Sequence, residues 1–159
     1  MLATTYNPMA RGNAHRTAVV DVVSRRVLAH KVAITLEACH AREVIEQAFA
    51  RWGTPTTVNT DCGARFMAAE FTDAVLSQGC QLSMDGRGAW RDNDFVEWLW
   101  HSVKYERVYL KAYDGVYDAR ADIADCIDWY NAGRADSSLA DITPDGHYFA
   151  HLPSMEMAA

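Results

Sequence analysis

The chain has 159 residues, 50% of them hydrophobic and 23% charged, which is the composition of one folded globular domain and excludes a disordered tail. Its 21 acidic and 15 basic residues give a formal net charge of −6, so any binding to nucleic acid must depend on locally concentrated positive charge. No segment has the ~18 uninterrupted apolar residues of a membrane span, and residues 1–8 carry no secretion-signal pattern, so we expect a cytoplasmic protein with no membrane partner.

The first third of the sequence predicts three antiparallel strands. Residues 2–9, 16–23 and 27–34 are rich in apolar and β-branched side chains, and a polar bend at 21–26 joins the last two runs. Arg11-Gly12-Asn13 suits a tight turn between the first two runs.

Helices and short strands follow in the rest of the sequence. Apolar spacing predicts helices over 44–52, 68–78, 93–110 and 119–130, short strands at 56–60 and 80–84, and a glycine-containing loop at 85–92. The segment that contains Pro144 and Pro153 indicates a loosely structured arm. This order predicts an α/β fold, a ribonuclease-H-like mixed five-stranded sheet with helices on both faces. We expect one domain over residues 1–149 and a C-terminal tail over 150–159.

Two carboxylates occupy positions where active sites form. Asp61 follows a short strand, and open α/β sheets place their sites at the carboxyl ends of strands. Glu97 lies one turn into the long predicted helix. Oxygen ligands of this kind suit Mg²⁺ or Mn²⁺, and two such ions can activate a hydroxyl and stabilise the leaving oxygen of a phosphodiester. Taken singly, an Asp at a strand end is most often a turn or cap residue, and a Glu in a first helical turn usually complements the helix dipole.

Motifs around both carboxylates resemble those of bacterial insertion-sequence transposases, whose catalytic core is integrase-like. Residues 59–66 (NTDCGARF) resemble their SD-x-G-x-x-(F/Y) box, and residues 86–97 (GRGAWRDNDFVE) resemble their glycine loop and DN-x-x-x-E box. Residues 104–107 (KYER) are similar to the LK-x-E continuation, residues 20–25 to a D-x-x-SR hairpin, and residues 130–144 to the closing YN…R-x-H-S-x-L…(S/T)P signature. The resemblance covers about residues 1–149, and the motifs occur in the family's order.

The resemblance implies a DD-E polynucleotidyl transferase core that cuts and joins transposon ends in DNA with two divalent ions. Asp61 and Glu97 would be its second and third catalytic carboxylates and would bind the metal. Lys104 would lie near the DNA phosphates, two helical turns beyond Glu97. A group of basic side chains around one cleft would then give weak, salt-sensitive DNA binding: Arg65, Arg87, Arg91, Lys104 and Arg107.

The family's first catalytic Asp is missing. It sits mid-strand about 18 residues before the hairpin Asp, and counting back from Asp21 reaches Ala3. Because that Asp normally bridges both metals, Ala3 predicts that binding of Mg²⁺ or Mn²⁺ is weak or lost. Asp21 could replace it if the hairpin places the two residues opposite each other; the alternative is that Asp21 caps the next turn. The family's His of the closing signature is Asp136 here, which further reduces positive charge.

Several interpretations stay open on the sequence alone. The first is an integrase or transposase catalytic core impaired by Ala3, so whether the chain is an enzyme is undecided. The second is a non-catalytic remnant that dimerises, associates with an intact transposase, or binds DNA; the third is an unrelated cytosolic α/β domain. Trp98 and Trp100 lie beside Glu97 on the predicted helix. Their rings would stack on DNA bases if they are exposed, whereas buried rings would belong to the core, as is usual for aromatic residues at helical spacing. Four widely spaced cysteines, at 39, 62, 80 and 126, indicate buried free thiols, and Cys39 and His40 lack zinc-type spacing.

Overall fold

One mixed sheet of five strands organises the protein. The computed structural model describes residues 1–9, 12–61, 63–84, 90–111 and 113–152, with the backbone alone for residues 90–95. The first three strands are antiparallel neighbours: β1 (Leu2–Pro8), β2 (Asn13–Val20) and β3 (Val27–Ala33). Two short strands, β4 (Thr57–Thr60) and β5 (Gln81–Met84), join in parallel beyond β1 and give the order β3-β2-β1-β4-β5.

Six α-helices lie within the described part of the chain. The longer ones are α1 (Ala38–Trp52), α4 (Trp90–Glu106) and α5 (Val116–Gly133). The shorter ones are α2 (Ala64–Met67), α3 (Ala69–Leu76) and α6 (Pro144–Ala150). Single 3₁₀ turns lie at Val108–Leu110 and Ser137–Leu139. In this part of the chain no helix is both long and apolar enough to cross a bilayer.

The helices cover both faces of the sheet, as the sequence predicts. Successive strand residues point to opposite faces, so Leu2 packs in a core cluster with Val44 of α1 and Val75 of α3. Ala3 instead packs in a second cluster that contains Leu99 of α4 and Ile123 of α5. The predicted ribonuclease-H-like arrangement of a central sheet between two helical layers is therefore confirmed.

Several predicted boundaries differ from the structure. The second strand ends at Val20, not at residue 23, because the chain turns at Asp21. The helix predicted over 68–78 spans Ala69–Leu76, and an unpredicted short helix, Ala64–Met67, precedes it across the extended backbone of Ala68 (φ −65°, ψ 137°). The long helix predicted over 93–110 begins at Trp90 and ends at Glu106. The loop prediction is therefore wrong for residues 90–92, and residues 85–89 lie outside the described residues.

Residues Pro144–Ala150 form a helix, so the prediction of a loosely structured arm is wrong there; Pro153 lies outside the described residues. Thr143 caps it, because the Thr143 hydroxyl accepts a hydrogen bond from the Gly146 N–H at 3.1 Å, and Pro144 occupies the first turn. The helix is held against the end of α1, since the rings of Tyr148 and Phe149 lie 5.6 and 6.2 Å from that of Trp52.

Candidate functional site

Asp61 lies at the carboxyl end of β4, beside Ala3. The parallel pairing of β1 with β4 matches Leu2 with Thr60, so Ala3 and Asp61, the next residues of the two segments, are neighbours at this end of the sheet. Ala3 is buried, 6% exposed, and belongs to the core cluster under α4. The position where the resemblance requires a carboxylate therefore lies next to Asp61 and carries only a methyl group.

Glu97 lies on α4 with its side chain exposed. Its neighbour Val96 is buried, 2% exposed, in the same cluster as Ala3. The early part of α4 therefore packs over the face of the sheet to which Ala3 belongs. The fold thus brings the elements that carry Ala3, Asp61 and Glu97 into one region. The described residues contain no group of three or more His, Cys, Asp or Glu side chains that could hold a metal ion.

The carboxylate of Asp61 is engaged by Arg65. The Arg65 Nη2 lies 3.2 Å from Asp61 Oδ2 and 3.4 Å from Oδ1, and Oδ1 also accepts the Gly63 N–H at 3.0 Å. The Arg65 Nε donates to Thr4 Oγ1 at 3.1 Å, so the guanidinium links the end of β4 to β1. The Arg65 side chain is only 15% exposed and that of Asp61 31%. The sequence identified Arg65 as a basic residue near the site; the structure places it against the carboxylate itself.

Asp21 caps a turn. Its Oδ2 accepts hydrogen bonds from the Ser24 N–H at 2.8 Å and from the Ser24 hydroxyl at 2.6 Å. Across the hairpin, the partner of Ala3 is Ala18 and not Asp21. Of the two interpretations of Asp21, the structure supports the turn cap and not the replacement carboxylate.

Lys104 follows Glu97 by seven residues on α4, so the two side chains lie along nearly the same line of the helix. Lys104 is half-buried, and its Nζ lies 4.8 Å from the centre of the Tyr6 ring. Burial lowers the pKa of Lys104, and the nearby positive charge of Arg16 lowers it further. Of the other predicted basic residues, Arg87 lies outside the described residues, and so does the side chain of Arg91. Arg107 is paired with Asp122 at 3.7 Å.

An exposed row of aromatic rings runs along α4 beside Glu97 and Lys104 and continues into the 3₁₀ turn at Val108–Leu110. Trp98 is 68% exposed, and its ring centre lies 6.0 Å from that of His101. The rings of His101 and Tyr105 are stacked, with 4.1 Å between their centres and 25° between their planes. The ring centres of Tyr105 and Tyr109 lie 5.0 Å apart. We call Trp98, His101, Tyr105 and Tyr109 the aromatic row. Trp100 is buried, so the core interpretation is confirmed for Trp100 and wrong for Trp98. The spacing of three and four residues, which places side chains on one helix face, is the signal that could have identified the row.

Arg16 is a buried cation that the sequence analysis missed. The residue is fully buried on β2, and its guanidinium lies 4.4 Å from the centre of the Trp100 ring. Within the described residues, Arg16 Nε, Nη1 and Nη2 have no hydrogen-bond partner. Burial lowers the pKa of Arg16 to about 9.

The cysteine prediction is confirmed for two residues. Cys80 and Cys126 are buried free thiols, and burial raises the pKa of both. Cys39 is a free thiol but only half-buried, so the prediction of burial is wrong there. It lies at the start of α1, where its sulfur contacts the Glu37 carboxylate at 3.7 Å. Cys62 lies outside the described residues.

Comparison with known proteins gives a consistent assignment. The model of the family described as "Integrase core domain" matches residues 3–101, and a second model with the same description matches residues 78–144. A protein named as a transposase for insertion sequence element IS986/IS6110 of Mycobacterium tuberculosis is 26% identical over 148 residues, which is 88% of this chain and 53% of the relative. The transposase for insertion sequence element IS629 of Shigella sonnei is 22% identical over 159 residues, which is 98% of this chain and 54% of the relative.

A solved structure shows the same fold. The HTLV-2 integrase catalytic core domain in complex with magnesium, in its trimeric form, superposes with a TM-score of 0.73 at 17% identity. The superposition covers 92% of this chain and 93% of that one. In contrast, the chain spans about half the length of the curated relatives that it matches.

Proposed function

The chain belongs to the integrase core domain family, and on that premise we propose that it is the catalytic-core domain of an insertion-sequence transposase whose polynucleotidyl transfer is impaired. The domain would occupy residues 1–149, with 150–159 as a tail. One observation carries the proposal: the parallel pairing of Leu2 with Thr60 sets the next residues of the two segments, Ala3 and Asp61, beside each other. A core of this kind needs a carboxylate at that position, and the methyl group of Ala3 can neither bind a cation nor accept a proton.

The residues present do not fit a two-ion site. Asp61 and Glu97 are the two proposed metal ligands, but Ala3 supplies no oxygen between them, and Arg65 contacts both oxygens of Asp61. Two ions held 3.5–4 Å apart, as such chemistry requires, typically share a bridging carboxylate. We therefore propose that Mg²⁺ or Mn²⁺ binding is weak or lost, and we assign no step of a reaction to the metal.

DNA binding is proposed for the outer surface of α4. Lys104 lies along the helix from Glu97, and the aromatic row beside them offers exposed rings on which bases of a frayed DNA end can stack. Arg87 and Arg91, which precede Glu97 in the sequence, are proposed to contact phosphates as well. Arg65 is proposed to contribute to DNA binding from the end of β4, although its guanidinium is engaged with Asp61. With a net charge of −6 the chain as a whole repels DNA, so this binding is weak and salt-sensitive.

A second candidate function is non-catalytic association with another chain. Tyr117 and Leu110 are large apolar side chains that are 79% and 74% exposed. Side chains of this kind favour burial against a protein surface, and the partner would be a second copy of this chain or an intact transposase. Sedimentation of the purified chain distinguishes the cases: a monomer at about 50 μM would exclude self-association as the function.

The test of the proposed function is a strand-transfer assay with labelled DNA ends and Mn²⁺. We expect the wild-type chain to join no ends above the level of an Asp61→Asn variant. In the same samples, fluorescence anisotropy should show binding of duplex ends near 50 mM salt that falls steeply by 200 mM. Joining by the wild-type chain well above the Asp61→Asn level would refute the impaired core, and binding that ignores salt would refute an electrostatic DNA surface.

A further inference from the structure

We infer that Arg65 is a built-in counter-ion that replaces the metal at Asp61. In this inference, which rests on the proposed function, the guanidinium supplies the positive charge that a divalent ion would otherwise bring. Arg65 would then be the reason that restoring the missing carboxylate alone does not restore metal binding. Three features of the structure support this role: the contacts of Arg65, its burial and the local backbone that accommodates it.

The contacts of Arg65 fix its guanidinium in place. Arg65 Nη2 faces both oxygens of Asp61, at 3.2 and 3.4 Å, and Arg65 Nε donates to Thr4 Oγ1 at 3.1 Å. Thr4 follows Ala3 directly, and its hydroxyl is itself hydrogen-bonded to Thr17 Oγ1 at 2.8 Å. The guanidinium is therefore fixed at both ends, between the second proposed carboxylate and the strand that lacks the first one.

The Arg65 side chain is largely buried. The Arg65 side chain is only 15% exposed, and its guanidinium carbon lies 4.6 Å from the centre of the Phe66 ring, which is fully buried. A charge-assisted pair that is largely removed from water is screened less than a surface pair, and its geometry is more persistent. A metal ion that binds Asp61 must therefore displace a positioned cation and not merely water.

The backbone at Gly63 lies close against the Asp61–Arg65 pair. A Cβ atom at this position would lie 2.8 Å from Asp61 Oδ1 and 3.0 Å from the guanidinium carbon of Arg65. The first distance is shorter than a carbon atom tolerates and the second is a tight contact, so a side chain at residue 63 would push the Asp61 carboxylate or the Arg65 guanidinium aside. The Gly63 N–H donates to the same Oδ1 at 3.0 Å. Two groups, the Gly63 N–H and the Arg65 guanidinium, thus share the carboxylate where an ion would bind.

The test is Mn²⁺ titration by calorimetry of four proteins: wild type, Ala3→Asp, Arg65→Gln and the double variant. We expect the wild type and Ala3→Asp to bind Mn²⁺ weakly, and the double variant to bind at least tenfold more tightly than Ala3→Asp. Arg42→Gln combined with Ala3→Asp is the matched control, because it removes one positive charge from a side chain that pairs with Glu46 and Glu70 instead. This control should bind Mn²⁺ within twofold of Ala3→Asp.

The outcomes separate this inference from the proposed function. Equal and tight Mn²⁺ binding by Ala3→Asp and the double variant would overturn the counter-ion role of Arg65 and leave the ancestral metal site standing. A folded double variant that binds no Mn²⁺ would overturn both the counter-ion role of Arg65 and the ancestral metal site. Circular dichroism establishes folding. If Arg65→Gln does not fold, Arg65→Met takes its place, because it removes the charge and keeps an unbranched chain over Phe66. The same gain over Ala3→Asp is then expected, and no gain refutes the inference.

Discussion

Replacing Arg16 with methionine should stabilise the protein. Arg16 is a fully buried cation, and within the described residues its three guanidinium nitrogens have no hydrogen-bond partner. Burial lowers the pKa of Arg16 from its ordinary value to about 9. The unfolded chain therefore binds this proton more tightly than the folded chain does, and the difference is a free-energy cost of folding with the arginine charged.

The structure sets the size of the effect. At ~1.4 kcal/mol per pKa unit, the lowered pKa corresponds to a cost on the order of 5 kcal/mol near neutral pH. The guanidinium regains part of it over the Trp100 ring at 4.4 Å, since such a contact contributes about 2 kcal/mol when desolvated. Methionine keeps an apolar chain in the same space at a further small packing cost. We expect a net gain of about 1–3 kcal/mol, or roughly 3–10 °C in Tm.

Urea unfolding followed by circular dichroism measures this gain at pH 7 and at pH 10. Because the pKa of Arg16 is lower in the folded state, the cost of burying its charge is fully present below about pH 9 and disappears as the pH rises towards the ordinary pKa of an arginine. The advantage of Arg16→Met should therefore be smaller at pH 10 than at pH 7. Arg51→Met, an exposed arginine on α1, is the control and should change stability by less than ~0.5 kcal/mol. A loss of stability in Arg16→Met would refute the reasoning.

Three further perturbations test other parts of the structure. Thr143→Ala removes the cap of α6 and should cost about 1 kcal/mol in urea unfolding, with a weaker near-ultraviolet signal from Trp52; unchanged stability would contradict the cap. Asn131→Ala breaks the buried pair of hydrogen bonds to the Val27 backbone, at 2.9 and 3.0 Å, and should cost about 2–3 kcal/mol; a neutral result would mean that β3 does not depend on α5. Trp98→Ala should weaken binding of single-stranded DNA severalfold by anisotropy, whereas Trp129→Ala on α5 should not; equal effects would refute stacking on the aromatic row.

The sequence predicted the fold well because the fold depends on repeated local patterns. Alternating apolar strands, helical spacing and the positions of glycines are sufficient to place the sheet and most of its helices, and Asp61 at the end of β4 followed directly. The errors lie where weak local signals compete. The Thr143-Pro144 start signal for α6 was present in the sequence, but a short segment with two prolines indicated an arm.

The details of the site could not be predicted, because they depend on contacts between segments. Arg65 belonged to a motif, but its guanidinium reaches Thr4, 61 residues earlier, only once β1 and β4 are paired. Arg16 stands in an apolar strand where an arginine would be expected at the solvent face, and only the packing of α4 and α5 above the sheet shows that it is buried.

The most direct test of the account is a crystal structure of the wild-type chain grown with Mn²⁺, with anomalous scattering to locate the ion. The account predicts no Mn²⁺ between Asp61 and Glu97, with the Arg65 guanidinium on Asp61 and the methyl group of Ala3 beside it. An ordered Mn²⁺ bound to both carboxylates, with Arg65 turned away, would contradict it.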